Sequence, residues 1–346
     1  MEDYDYSNDT DLSFNVSFYY DLPDEVFYEV FGDAVLVSLK CFLNNLQIGI
    51  IHLVISSSFM ILQLLVFSSF YNNKTIFKNT CFKIIFNHGI LSLIQQICHI
   101  ITSIITILEN EKINVVLPII GVILTSSYLG SIAFIFLLTL NRFDIVYNIH
   151  YLHKKEKEKF YLIGIILCYI FTIVIFVAYT LIPECKITFS FVTYEWVYDV
   201  NQPNMLPHQF EKYSTLTFLV LSLILQFLIF LKIFLLRCST SRRKIFVPDD
   251  FKIILHGFLC FVTALLLELI WDGMLFQIYW SGVLIIMPHI LHIFCSVSNS
   301  IFSLCFVREI RKNMIIYKYF KKKFTNVGQL KSMKTVNATK FIRTVA

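Results

Sequence analysis

Seven apolar stretches, each close to or above the length of a membrane-crossing helix, restrict this chain to very few folds. They run over residues 46–70, 80–108, 115–140, 160–182, 213–236, 251–271 and 280–306. About 20 apolar residues of helix cross a bilayer's hydrocarbon core. No water is available there to backbone N–H and C=O groups, so each crossing segment must satisfy them internally as continuous helix. A transmembrane barrel would instead show alternating segments of about 10 residues, and none is present. The fold class expected is therefore an all-α membrane protein, a seven-transmembrane helix bundle with a short cytoplasmic surface helix. Seven spans and their loops use up most of the 346 residues. The expected organisation is an extracellular acidic tail over residues 1–45, the bundle over 46–306, and a cytoplasmic basic helix and tail over 307–346.

Charge orients the bundle. The first 45 residues hold ten acids and one base, Lys40; the last 40 hold eleven bases and one acid, Glu309. With the N-terminus outside, the inner segments carry 24 Lys and Arg and the outer segments carry four, Lys40, Lys112, Lys186 and Lys212. Lys232, near the inner end of span five, can snorkel. Lys and Arg are retained on the cytoplasmic side, so this is the orientation the positive-inside rule selects. Two glycosylation sequons, beginning at Asn8 and Asn15, fall on the outer tail and agree with it. No cleavable signal peptide is expected, since the N-terminus is acidic and has no early apolar region.

Two other segments carry information. The loop over residues 183–212 is long for a compact bundle, includes Trp196, and is expected to cover the outer mouth. Residues 307–324 place Ile310, Met314, Tyr317 and Phe324 at a loose helical period, with Arg311, Lys312, Lys318, Lys321, Lys322 and Lys323 supplying cations. That pattern suits a helix lying on the inner leaflet. No internal repeat of the kind found in many transporters is present.

The residues at the inner end of span three, Leu140-Asn141-Arg142-Phe143, resemble the Leu-Asn-Arg found there in nematode serpentine chemoreceptors. Cys81-Phe82-Lys83-Ile84-Ile85 with Gly89-Ile90 in span two, and the run from Thr193 to Asp199 in the second outer loop, resemble the same family. The resemblance implies a G-protein-coupled receptor: a seven-helix bundle that binds a small-molecule or peptide ligand from outside and activates a heterotrimeric G protein. It implies neither a cofactor, nor an enzymatic activity, nor binding of nucleic acid. The expected location is the plasma membrane, including a sensory cilium.

The resemblance also assigns roles. Arg142 is the expected switch, holding the inner ends of spans three and six together at rest. Asn141 cannot supply the carboxylate found beside it in rhodopsin-like receptors, so Asp249 or Asp250 at the foot of span six is the expected partner. Asn299 stands where such receptors carry Asn-Pro-x-x-Tyr, without the Pro and Tyr. Pro288 is the candidate kink in span seven. Ser92 occupies the span-two position where an acid is common. Between Cys98 and Cys168 there is no cysteine, so the usual bridge from span three to the second outer loop cannot form; Cys41 and Cys185 are expected to pair instead.

The spans themselves offer a ligand site. Gln95 and His99 sit i,i+4 on span two and share a face. His289 and His292 sit i,i+3 on span seven, and Glu268 lies one turn from the outer end of span six. Ionisable groups at membrane depth usually face an interior or a cavity. With Trp196 these five residues form the expected ligand pocket. His-Ile-Leu-His alone does not make a metal site. Ser126, Gly130 and Ser131 read as helix-packing positions. Three functions stay open at this point: a chemosensory receptor, a peptide receptor recognised by the acidic tail, and a ligand-gated channel or transporter. A conduction path needs several buried charges or broken helices, and little of either is visible.

Overall fold

The structure, a computed structural model, describes residues 43–108, 116–147, 154–182, 187–191, 194–198, 206–239, 248–271, 286–315 and 317. Helix α1 runs Asn45–Asn72, α2 Thr80–Leu108, α3 Leu117–Tyr147, α4 Lys154–Leu181, α5 Leu206–Ser239, α6 Pro248–Trp271, α7 Met287–Phe306 and α8 Arg308–Asn313. Helices α1–α5 and α7 are long and apolar enough to cross a membrane, and α6 carries a shorter apolar run, Ile254–Ile270. The chain is a multi-pass, seven-helix membrane bundle.

Local chemistry sets several helix ends. Asn44 caps α1 by accepting from the Gln47 amide at 2.8 Å, and the Gln47 side chain accepts from the Asn44 amide at 3.1 Å. These reciprocal bonds satisfy two amides that the helix start would otherwise orphan. A single 3₁₀ turn, Lys74–Lys78, links α1 to α2. Asn79 accepts from the Cys81 amide at 3.0 Å where α2 begins.

Helix α3 is the axis of the bundle. Its most apolar window is 83% buried, against 22% for α1 and 28% for both α4 and α5. It packs on α2, α4, α5 and α6, while α7 closes the ring against α1, α2 and α6. Gly130 permits the close approach on one side: a Cβ there would lie 2.1 Å from Thr172 Oγ1 of α4 and 2.8 Å from Leu91 Cδ1 of α2. The outer faces of α1, α4 and α5 expose Val54, Ile61, Leu167, Ile173, Phe227 and Phe234. Apolar all round, these helices suit a lipid surround.

The spans are longer than the apolar runs that announce them. α3 continues to Tyr147 rather than 140, α4 starts at Lys154 rather than 160, and α5 extends from Leu206 to Ser239. Residues 280–285, expected to open span seven, lie outside the described residues. The short helix α8 buries Ile310 and exposes Arg308, Arg311 and Lys312, as an amphipathic surface helix does. Met314 interrupts it with an extended backbone (φ −60°, ψ 145°), and Ile315 and Tyr317 are helical again. The expected continuation to residue 324 otherwise lies almost entirely outside the described residues.

The long loop expected to cover the outer mouth contains a β-hairpin that the sequence reading does not specify. Strands β1, Ile187–Ser190, and β2, Glu195–Tyr198, pair antiparallel, with Phe189 opposite Trp196. The turn includes Tyr194 at φ 55°, and its hydroxyl donates to Asn45 Oδ1 of α1. Gly121 lets the hairpin settle on α3: a Cβ there would lie 2.8 Å from the Ile187 carbonyl oxygen and 2.9 Å from the Trp196 ring.

Candidate functional site

Two polar regions occupy the bundle interior, one beneath the hairpin and one at the opposite end. Beneath the hairpin, Trp196 and Phe189 meet edge to face with ring centroids 5.4 Å apart, and Phe189 meets His289 of α7 in the same way at 5.3 Å. His289 touches His52 of α1 at 4.5 Å and His99 of α2 at 5.3 Å. His99 also touches His292 at 4.9 Å. All four histidines are buried. The Tyr128 ring of α3 lies 5.5 Å from His292, and its hydroxyl donates to Glu268 of α6 at 2.5 Å. Glu195, Trp196, Pro288, His289 and His292 line a crevice with no room for a water molecule. Small-molecule sites usually offer about 300–1,000 Å³, so the hairpin closes tightly over the cluster in this conformation. Burial raises the Glu195 carboxyl to about 7, because taking the charged form out of water is unfavourable.

Of the six expected pocket residues, His99, His289, His292 and Trp196 lie together here. Glu268 joins them through Tyr128. Gln95 turns to α3 instead, donating to the Ser127 carbonyl at 3.1 Å and to Ser131 Oγ at 2.8 Å. Its neighbour Gln96 donates to the Ile293 carbonyl at 3.1 Å and to Ser296 Oγ. Both amides tie helices together where lipid offers no competing partner. His52 and Tyr128 were not identifiable from sequence. Each is a single residue in an apolar run, and only the packing of α1 on α7 and of α3 on α6 brings it to the cluster.

At the opposite end Asn141 and Arg142 are buried. Arg142 Nη2 contacts Cys81 Sγ at the start of α2. The side chains of Asp249 and Asp250, its expected partners, lie outside the described residues, as do Cys41, Cys185, Asn8 and Asn15. The carboxylate nearest in sequence, Asp144, pairs with Lys157 of α4 at 2.9 Å and accepts from the Tyr161 hydroxyl at 3.4 Å. A cavity of about 820 Å³ opens here, with Asn79, Asn141, Asp144, Lys157 and Lys312 in its wall.

Asn299 bridges helices as a span-seven polar residue should. Its Nδ2 donates to the Ile85 carbonyl of α2 at 3.3 Å. Its own carbonyl accepts from His256 Nε2 of α6 at 3.2 Å, and Ser303 Oγ lies 3.1 Å from the same nitrogen. Ser300 donates to Gln63 of α1, and Gln63 donates to the Gly89 carbonyl of α2 at 3.2 Å. Thus α1, α2, α6 and α7 share one polar seam. Among the described residues no group of three or more His, Cys, Asp or Glu is arranged to hold a metal ion.

A seven-helix membrane bundle with a covered polar pocket at one end and a buried Asn-Arg pair at the other has the layout of a receptor. The family model described as serpentine type 7TM GPCR chemoreceptor Srx matches residues 53–245, more than half of the chain, and the chain belongs to that family. The match runs from just after His52 through α5; Glu268, His289 and His292 lie beyond it. No curated protein matches the chain.

Proposed function

We propose that this chemoreceptor-family protein binds an external ligand beneath the β1–β2 hairpin and activates a heterotrimeric G protein at the Arg142 end. The observation that carries the reading is the cluster of His52, His99, His289 and His292 with Tyr128 and Glu268, set in the bundle interior directly under Trp196. Polar groups at this depth, contributed by five helices, are costly unless they serve something. The hairpin end faces outward in this reading, with the N-terminus outside and the protein in the plasma membrane, including a sensory cilium. The excess of Lys and Arg on the Arg142 side supports it.

A ligand that wedges the hairpin away from His289 has a differential affinity for the open and closed bundles, which is what shifts a two-state equilibrium. Arg142 is held at the inner end by Cys81, and that contact, with the His256–Asn299 tie between α6 and α7, is the resting arrangement to be released. The test is a screen of candidate ligands against G-protein activation in cells expressing the chain, with Trp196→Ala and His289→Ala in parallel. Both substitutions are expected to raise the ligand concentration for half-maximal response by about 10-fold or more, the loss of roughly 1.4 kcal/mol of binding. Ligand-evoked current in cells lacking G protein would instead favour a channel.

A further inference from the structure

The cluster beneath the hairpin has a chemical property that ligand binding does not require. His52 and His99 are fully buried, and among the described residues neither ring nitrogen of either has a hydrogen-bond partner; His289 Nε2 also has none there. A neutral imidazole holds one N–H donor and one bare acceptor nitrogen, so these rings carry proton-accepting atoms that no described residue engages. Three different helices bring them into contact, at ring separations of 4.5, 5.3 and 4.9 Å. Imidazole is the side chain whose ordinary protonation falls between pH 5 and 8.

Burial opposes charge on the closed cluster, so acid favours the bundle in which the hairpin has lifted and water reaches the rings. Glu268 of α6 reaches the cluster through Tyr128 of α3, whose hydroxyl donates to it at 2.5 Å while its ring faces His292 at 5.5 Å. Glu195 of the hairpin lines the same pocket as His289 and His292. Glu211 of α5 acts on Tyr128 through space, and so does the thiol of Cys295 on α7. From α2, α4 and the turn of the hairpin, Cys98, Tyr179 and Tyr194 complete the titratable groups of the adjoining apolar core. Glu195 is itself protonated below about pH 7, so a first proton is held best where the rings reach water. A second would sit 4.5–5.3 Å from the first, measured between ring centroids, and like charge opposes it.

We propose that His52, His99, His289 and His292 form a proton-binding site that takes up one proton from the hairpin side, making this receptor a sensor of external acid. The side of access rests on the orientation proposed above; the site itself does not. A charged ring draws water and turns away from its neighbours, loosening the contacts that hold α7 to α1 and α2.

The test uses the full chain in lipid nanodiscs, with Trp271→Phe and Trp280→Phe leaving Trp196 as the reporter. Imidazolium quenches indole fluorescence more strongly than neutral imidazole. Trp196 emission is expected to fall with acid in a single-proton transition between about pH 4 and 8. His99→Gln combined with His289→Gln is expected to abolish the transition, and Glu195→Gln to preserve it. A flat trace overturns the proposal, as does a transition that survives both histidine changes or vanishes with Glu195→Gln alone. Should the double variant fail to fold, nitrogen-15 histidine resonances of the unsubstituted chain report imidazolium formation directly; rings that stay neutral throughout overturn the site. In sealed vesicles of known orientation, a transition that follows the pH on the Arg142 side overturns the route of access while leaving the site in place.

Discussion

Arg142 sits in a buried position beside Cys81, which is an expensive place for a guanidinium unless its release does work. Arg142→Ala is expected to keep surface expression and to lower G-protein activation by at least about 10-fold, equivalent to roughly 1.4 kcal/mol; cell-surface labelling alongside a nucleotide-exchange assay checks both halves. Asp144 has a different task. Its pairing with Lys157 ties α3 to α4, and since the pair is partly exposed, Asp144→Asn is expected to cost under about 1 kcal/mol. Glu195 supplies the pH dependence. Burial raises its carboxyl from 4.5 to about 7, so the folded state holds the extra proton between those values. Its contribution to stability is full below about pH 4.5 and is lost as the pH rises toward 7. Glu195→Gln is expected to remove that slope and raise the melting temperature at pH 8 by about 2 °C, read by thermal unfolding in detergent at pH 5 and pH 8.

The hairpin and the central helix depend on each other through Gly121. Any side chain at that position meets the Ile187 carbonyl oxygen and the Trp196 ring, and overpacking of this kind costs about 1–3 kcal/mol. Gly121→Leu is expected to unseat the hairpin while leaving the bundle folded, seen as faster proteolysis of the 187–198 segment with an unchanged helical circular-dichroism signal. The spans were legible because a membrane-crossing helix must be a run of apolar residues. Their ends were not, because the helical hydrogen bonds of α3, α4 and α5 continue past the hydrocarbon edge through Asn141–Tyr147, Lys154–Lys159 and Leu206–Lys212. The i,i+3 spacing of His289 and His292 marked a face of α7, and His99 marked a face of α2. His52 gave no local signal, nor did His256, whose partners Asn299 and Ser303 lie 43 and 47 residues away. The Asp144–Lys157 pair was hidden in the same way, its members lying on two helices on either side of a loop. Strand pairing between residues 187–190 and 195–198 gave no local signal, because strands of four residues are too short to show a clear alternation.

Over the whole molecule, the two polar regions are joined through the seam of Gln96, Ser296, Asn299, Ser300 and Gln63, which links α1, α2 and α7 along the bundle. In the proposed mechanism a change at the hairpin end moves α7 first, since His289 and His292 belong to it, and α7 carries the His256 tie to α6. His256→Phe is expected to raise basal G-protein activation about 2-fold or more by removing that tie, measured without added ligand. All of this depends on the two ends of the bundle facing different compartments. Epitope tags placed at each terminus, probed with antibody on intact and then permeabilised cells, test that most directly. The N-terminal tag is expected to stain intact cells and the C-terminal tag only permeabilised ones; staining of the C-terminal tag on intact cells, with the N-terminal tag hidden, would contradict the account.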